Sequence, residues 1–303
     1  MLDNKNNNNL LFEIALLLII GLLILGSFLY SNSKILDFLK PSVNIDKEYV
    51  FESENSIIFS SHDANQLEHV LGQIQLDYLN IQNPVPDFEL LYLPKNLNKI
   101  EPSSRRKKLF ISSILPLVVR SNQRILEERK KICNAIDNNN LINQIDIINK
   151  YGFIKEDLSL LNFDKKLISK VDIVPVSLAL AQAAVESGWG TSRFALEGNA
   201  LFGQWVWNKN LGIKPKRSND NKAVVRSFQT LLESVKSYML NLNTHQSYSA
   251  FRSKRYRSCN EENILEGLKL SNWMENYAET RNDYVKLLRQ VIVSNNLSYL
   301  DRM

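Results

Sequence analysis

The sequence predicts a mainly helical domain with a small β element, set behind an N-terminal membrane-spanning helix. Three observations carry that reading. Residues 10–30, LLFEIALLLIIGLLILGSFLY, are apolar except for Glu13. From about residue 103 onward, apolar residues recur at helical spacing. Between the expected helices lie only two short stretches rich in Trp and Val, at 205–207 and 223–228.

The first element, within residues 1–33, is an anchor. A run of this length crosses a bilayer as a helix. It is long for a signal peptide, and no small-x-small cleavage site follows it. Lys5 precedes it and Lys34, Lys40 and Lys47 follow, a count that slightly favours a cytoplasmic C-terminal part. Residues 34–100 are expected to be an acidic spacer or a small irregular region, because Pro84, Pro86 and Pro94 break any long helix there. Residues 101–303 form the main domain. Leu109, Ile114, Leu117, Val118, Ile125 and Ile132 mark its first helix, with Pro116 as an expected kink. Pro175 opens the next, being well suited to a first helical turn. Further helices are expected at 229–243, 261–271 and 281–294.

Charge divides the chain. Residues 46–89 hold nine acids against one base, whereas residues 101–303 hold 31 bases against 20 acids. A basic domain attracts anionic polymers: nucleic acid, acidic lipid or acidic cell wall. No zinc-finger spacing or aromatic RNA-binding motif points to nucleic acid, and a solvated basic surface fits the composition equally well. His62, His69 and His245 follow no ligand spacing, so no metal is expected. Cys133 and Cys259 either form one disulfide in an exported chain or remain two buried thiols.

The strongest chemical signal is Glu186, a lone carboxylate in PVSLALAQAAVESGWGTSRFALEGNALFGQW, residues 175–205. Gln182 and Glu186 are four apart and share a helix face. Gly188 ends that helix, so Glu186 sits in its last turn, where the helix dipole disfavours a further negative charge. Apolar neighbours disfavour the ion as well. Both effects raise its pKa, as a general acid near neutral pH requires. Trp189 could supply the apolar wall. The competing reading makes Glu186 a helix-end residue paired with Arg193. Downstream, Asn199, Phe202, Trp205 and Trp207 offer aromatic faces and an amide of the kind that bind sugars, or an ordinary core.

Residues 171–205, VDIVPVSLALAQAAVESGWGTSRFALEGNALFGQW, resemble the core of the bacterial peptidoglycan β-N-acetylglucosaminidases, in particular their Bax-type membrane-associated branch. Residues 115–130 (LPLVVRSNQRILEERK), 234–252 (SVKSYMLNLNTHQSYSAFR) and 277–292 (YAETRNDYVKLLRQVI) extend the resemblance in the same order. It covers about residues 105–303. It implies a lysozyme-like α+β fold, a helical lobe facing a small β-lobe across a groove. It implies that Glu186 is the catalytic acid and that Asn199, Phe202 and Gly203 form the N-x-x-F-G segment beside the cleft. Tyr277 matches a tyrosine facing that cleft; on its own it reads as a packing residue. The expected substrate is the peptidoglycan glycan strand, cut at the β-1,4 bond after N-acetylglucosamine, with no cofactor. Gln182, Trp189, Asn199, Phe202 and Trp205 are the expected substrate contacts. A wall substrate places the domain in the periplasm or envelope space outside the bacterial inner membrane, against the lysine count.

The chain departs from the pattern at one point. Glycosidases usually use a second carboxylate. In the resemblance its place is just before V-R-x-F, where KAVVRSF, residues 222–228, holds Val224. The only acid in 206–228 is Asp220, in a turn-rich loop. Either Asp220 substitutes, or the acetamido group of the substrate acts as nucleophile, or the chain only binds. A lytic transglycosylase, which also works with one carboxylate, is the nearest alternative activity.

Overall fold

Apolar residues at helical spacing make helices the main element of the described residues, with two small three-stranded sheets beside them. The computed structural model describes residues 49–53, 56–81, 84–216, 223–261 and 263–303. The apolar run 10–30 and Asp220 lie outside these residues. Among the described residues no helix is long and apolar enough to cross a membrane.

Strands β1 (Tyr49–Ser53) and β2 (Ser56–Ser60) pair antiparallel, and β3 (Phe88–Leu90) joins β2 in parallel. Helix α1 (Ala64–Gln73) connects β2 to β3 and is capped by Asp63, which accepts the N–H of Asn65. This part of the expected acidic spacer is therefore built into the main core. Phe59, Leu67, Leu71, Phe88 and Leu90 are buried with residues of the long helix α2 (Ser103–Asp137). The charge asymmetry has a local cause. Glu68 pairs with Arg105, Asp77 with Lys108 (2.8 Å), and both Asp87 and Glu89 with Arg120. The acids of the first segment face the bases of α2. Strands of three to five residues between prolines leave too little periodicity to read.

Helix α2 runs through Pro116 without ending. Its C-terminal part covers a second core with α3 (Ile145–Lys150) and α4 (Phe163–Lys170), formed by Ile132, Ile148, Tyr151, Phe163, Leu167 and Val171. Cys133 and Cys259 are joined as a disulfide beside it, Cα atoms 5.7 Å apart. The last carbonyls of α4 have no intrahelical donors, and arginines supply them. Arg129 donates to Ile168 and Val171, and fully buried Arg255 donates to Ser169 and Ile173.

Helix α5 (Val176–Ser187) is buried at every position from Val176 to Ala184. A helix apolar on all sides belongs in the middle of a core, and α5 packs against α2, against α10 (defined below) and against the C-terminal turn. After it come α6 (Arg193–Gly198) and a three-stranded antiparallel sheet in the order β4 (Trp205–Val206), β6 (Val224–Arg226), β5 (Gly212–Ile213). Helices α7 (Leu231–Thr244), α8 (Ser249–Arg255), α9 (Gly267–Leu270) and α10 (Asn282–Ser294) complete the domain. The helices expected at 229–243 and 281–294 are α7 and α10. The one expected at 261–271 shrinks to α9. It begins at Gly267 because Asp301 caps that N–H (2.8 Å) and because α5 is so close there. A Cβ on Gly267 would fall 2.2 Å from Ser177 Oγ.

Candidate active site

Helix α5 delivers Glu186 to the surface of the core. Asp301, near the far end of the chain, fixes the start of α5 by accepting from the N–H and the hydroxyl of Ser177, both at 2.8 Å. At its other end the chain turns sharply, with Gly188 and Trp189 both in the left-handed region at φ 58° and 59°. Glu186 is half-buried in the last turn. Burial pushes its carboxyl above its ordinary range, and a hydrogen bond from Tyr284 opposes that push more weakly. Arg193 is not its partner: that guanidinium pairs with Glu197 at 3.1 Å and donates to the carbonyl of Lys214.

A hydrogen-bonded chain of buried side chains leads to the tyrosine beside Glu186. The Tyr238 hydroxyl donates to Gln182 Oε1 at 2.6 Å, and Gln182 Nε2 donates to the Tyr284 hydroxyl at 3.0 Å. The Tyr284 hydroxyl, with its oxygen taken by Gln182, keeps its own proton free beside Glu186, where it favours the ionised carboxyl. Gln182 is fully buried with both ends of its amide engaged. The expectation that it contacts substrate is corrected: it orients the tyrosine that orients the acid. Tyr277 stacks on Tyr284 with ring centroids 5.6 Å apart and meets Tyr238 edge-on and Tyr248 at a tilt. Burial raises the pKa of all four phenols, and the charge of Glu186 adds to the rise. They therefore stay protonated around the carboxyl.

Beside this cluster lies a groove of about 470 Å³. Phe202, Gly203, Trp205, Arg226, Ser237, His245, Tyr248 and Tyr277 are among its lining residues. Glu186 adjoins it through Gly203, which has φ 60°. A Cβ there would stand 3.7 Å from Glu186 Oε2, so a side chain at 203 would be strained and would crowd the acid. Trp205 is 60% exposed and Trp207, beside the groove in sequence, is 77% exposed.

The remaining expected contacts separate. Phe202 is buried, stacked on Tyr238 with centroids 3.8 Å apart, so it shapes the groove from beneath. Its carbonyl accepts the Tyr277 hydroxyl at 3.1 Å. Asn199 ends α6 at φ 52° and spends its amide N–H groups on the carbonyls of Phe228 and Gln229. It fastens the β6–α7 connection. Trp189 is not among the groove residues: it meets Phe110 edge-on, with Lys107 Nζ 4.8 Å from its ring centre. It is a packing residue on α2, and the apolar wall of the acid is made by tyrosines instead. Val224 is buried in the small sheet opposite Val206. Among the described residues no carboxylate lines the groove, and no group of three or more His, Cys, Asp or Glu that could hold a metal occurs.

Sequence reasoning did not single out Tyr238, Tyr248, Tyr284 or Arg226. The three tyrosines lie in stretches quoted for the resemblance, and Arg226 is the arginine of its V-R-x-F segment. A tyrosine at a helical position looks the same whether it faces a core or a carboxyl.

Residues 164–297 match the glucosaminidase family, described as mannosyl-glycoprotein endo-β-N-acetylglucosaminidase. The chain is 31% identical over 165 residues to protein bax of Escherichia coli strain K12, a match spanning 53% of this chain and 59% of that protein. Among solved structures, the catalytic domain of the autolysin Auto from Listeria monocytogenes is similar at 19% identity. That similarity spans 57% of this chain and 87% of that one, with a TM-score of 0.31.

Proposed function

The chain is a Bax-type member of the glucosaminidase family, and from that premise we propose that it is a membrane-anchored peptidoglycan hydrolase of lysozyme-like fold. It cuts the β-1,4 bond after N-acetylglucosamine. The observation that carries this reading is Glu186: a half-buried carboxyl whose pKa burial raises, beside Tyr284, at the edge of a groove with an exposed tryptophan.

Glu186 gives its proton to the glycosidic oxygen as the bond to the anomeric carbon breaks. Tyr284 then stabilises the carboxylate left behind. Trp205 offers its face to a sugar ring. Tyr277, fixed by its bond to Phe202, presents its oxygen to developing positive charge or to water. With no carboxylate lining the groove among the described residues and Val224 buried, the substrate's acetamido oxygen attacks the anomeric carbon, and water later opens the cyclic intermediate. Asp220 is the alternative base. The same shortage of carboxylates favours one rival, a lytic transglycosylase, in which an intramolecular hydroxyl takes the place of water.

The proposed anchor is residues 10–30, with the N-terminus in the cytoplasm and the domain in the envelope space. The Cys133–Cys259 disulfide supports an oxidising compartment. A C-terminal reporter active only outside the cytoplasm should give signal.

Digestion of purified cell wall followed by mass spectrometry tests the chemistry. Reducing N-acetylglucosamine ends support the hydrolase, and anhydro ends transfer the protein to the transglycosylases. Glu186→Gln should lower the rate by about 10²–10⁴-fold. Undiminished cleavage by that variant, or wall binding without cleavage by the native protein, would refute the proposal.

A further inference from the structure

Arg226, at the end of β6, stands in the groove without an acid. Its guanidinium is centred 5.0 Å from the ring centre of Phe228, and its Nη1 lies 3.4 Å from Ser237 Oγ. That hydroxyl spends its own proton on Gln204 Oε1 at 2.9 Å, so a lone pair is left for the arginine. The Arg226 backbone N–H is fixed on the Gln204 carbonyl at 2.8 Å. The side chain is thus positioned, yet among the described residues it makes no ion pair. Other arginines near the site are matched: Arg193 with Glu197, Arg129 and Arg257 with Asp172, and Arg252 and Arg255 with backbone carbonyls. Arg226 shares its groove with His245, Asn241, Thr244 and Ser237 and, among the described residues, with no Asp or Glu.

A guanidinium offers five N–H donors in a fork that fits a carboxylate. Held against an aromatic face, with no acid among the described residues that line its groove, it is preorganised for one. A neutral chitin-like chain has no use for it. A wall glycan does, because alternate sugars carry a lactyl group that is either a free carboxylate or the root of a peptide bearing carboxylates. We propose that Arg226 is a specificity residue that reads a carboxylate carried by the muramic acid sugar or by its stem peptide. This rests on the wall-hydrolase reading of the same groove. Gly203 borders both Glu186 and the groove that holds Arg226, so the carboxylate would be read on the strand being cut.

The test compares the native protein, Arg226→Gln and Arg226→Lys on three substrates: neutral chitin oligosaccharides, peptide-free wall glycan and intact peptidoglycan. Binding and cleavage are measured in parallel, with thermal melting to confirm folding. Hydrogen bonds to a charged group are worth about a tenfold to a hundredfold preference. Arg226→Gln should lower the ratio of kcat/KM on carboxylate-bearing substrate to that on chitin by that much, mostly through KM. Arg226→Lys should recover part of the ratio, since it keeps the charge and loses the fork. A fall already present on peptide-free glycan assigns the lactyl carboxylate; a fall only on intact wall assigns the peptide. An unchanged ratio in both variants overturns the proposal while leaving the hydrolase intact. If the native protein cuts none of the three, the hydrolase reading fails on its own, and the binding ratios still decide what Arg226 reads.

Discussion

The two banks of the groove are built on opposite principles. On the acid bank, α5 is buried nearly throughout, and Glu186 sits beside Tyr284, which a chain of hydrogen bonds ties to Gln182 and Tyr238. On the other bank, β4, β5 and β6 are two or three residues long, and Trp205, Trp207, Leu211 and Arg226 face solvent. The first bank sets a protonation state, which needs burial and fixed partners. The second, on the proposed function, meets a polymer, which needs exposure. Substitutions on the acid bank should therefore change stability and chemistry together, and substitutions on the small sheet should change binding alone.

The largest effect should come from behind the acid bank. The disulfide ties α2 to the segment that follows α8, and Arg257 in that segment pairs with Asp172, just before α5. It closes a loop of 126 residues. Constraining the unfolded chain over such a loop is worth about 4–5 kcal/mol. The double variant Cys133→Ser, Cys259→Ser should lose most of that in denaturant titration and lose activity with it. A cost below about 1 kcal/mol would show that the acid bank does not depend on this brace.

Gln182→Leu should come next. It keeps the volume roughly constant and takes from the Tyr238 hydroxyl its acceptor and from the Tyr284 hydroxyl its donor. At about 1–3 kcal/mol for each group left short, the loss is about 2–6 kcal/mol. Because Tyr284 is then free to turn from Glu186, the pH–rate profile should move as well. A loss of stability with an unmoved profile would reduce Gln182 to ordinary packing and break the link between stability and chemistry on this bank.

A smaller effect of opposite sign is expected at Glu186 itself. Its pKa is raised by burial above the ordinary 4.5. The folded state then holds the proton more tightly than the unfolded state, so stability falls as pH rises from about 4.5 through the raised value. Glu186→Gln removes that penalty. Its Tm should exceed that of the native protein at about pH 8, and the difference should vanish near about pH 4. Native activity should decline over the same interval as the general acid loses its proton. Equal melting curves at both pH values would mean that the carboxyl is not held against its ionised form.

Much of the acid bank was legible in the sequence, and little of what surrounds it. Glu186 stood out because an all-apolar helix admits one carboxylate only for a reason, and Gly188 marked where that helix ends. Helices α7 and α10 were legible for the same kind of reason, sustained helical periodicity. Three things escaped. The strand–helix–strand unit of residues 56–90 is too short and too interrupted by proline to show a period, and its acids suggested a spacer because their partners on α2 lie tens of residues away. Gln182 was placed on the correct face, but sequence spacing does not show whether an amide meets ligand or tyrosine. Trp189 and Asn199 have residue types suited to sugar binding, yet tertiary neighbours, Phe110 and the Phe228 and Gln229 carbonyls, claim them first.

The smallest effect on stability should fall on the small sheet, and it separates the two banks most sharply. Trp205 pairs through its backbone with Val225 while its side chain remains 60% exposed. Replacing an exposed side chain away from core contacts usually changes stability by about 0.5 kcal/mol or less. Trp205→Ala should therefore melt like the native protein. Its KM for wall glycan should nevertheless rise by about tenfold, equivalent to about 1.4 kcal/mol of binding, while kcat holds because Glu186 and its tyrosines are untouched. Uniform loss of binding to ground and transition states has that signature. A fall in kcat of the same size would place Trp205 in the chemical step. A loss of more than about 1 kcal/mol in stability would make the tryptophan part of the fold, and the division between a buried bank that sets the acid and an exposed bank that holds the polymer would not stand.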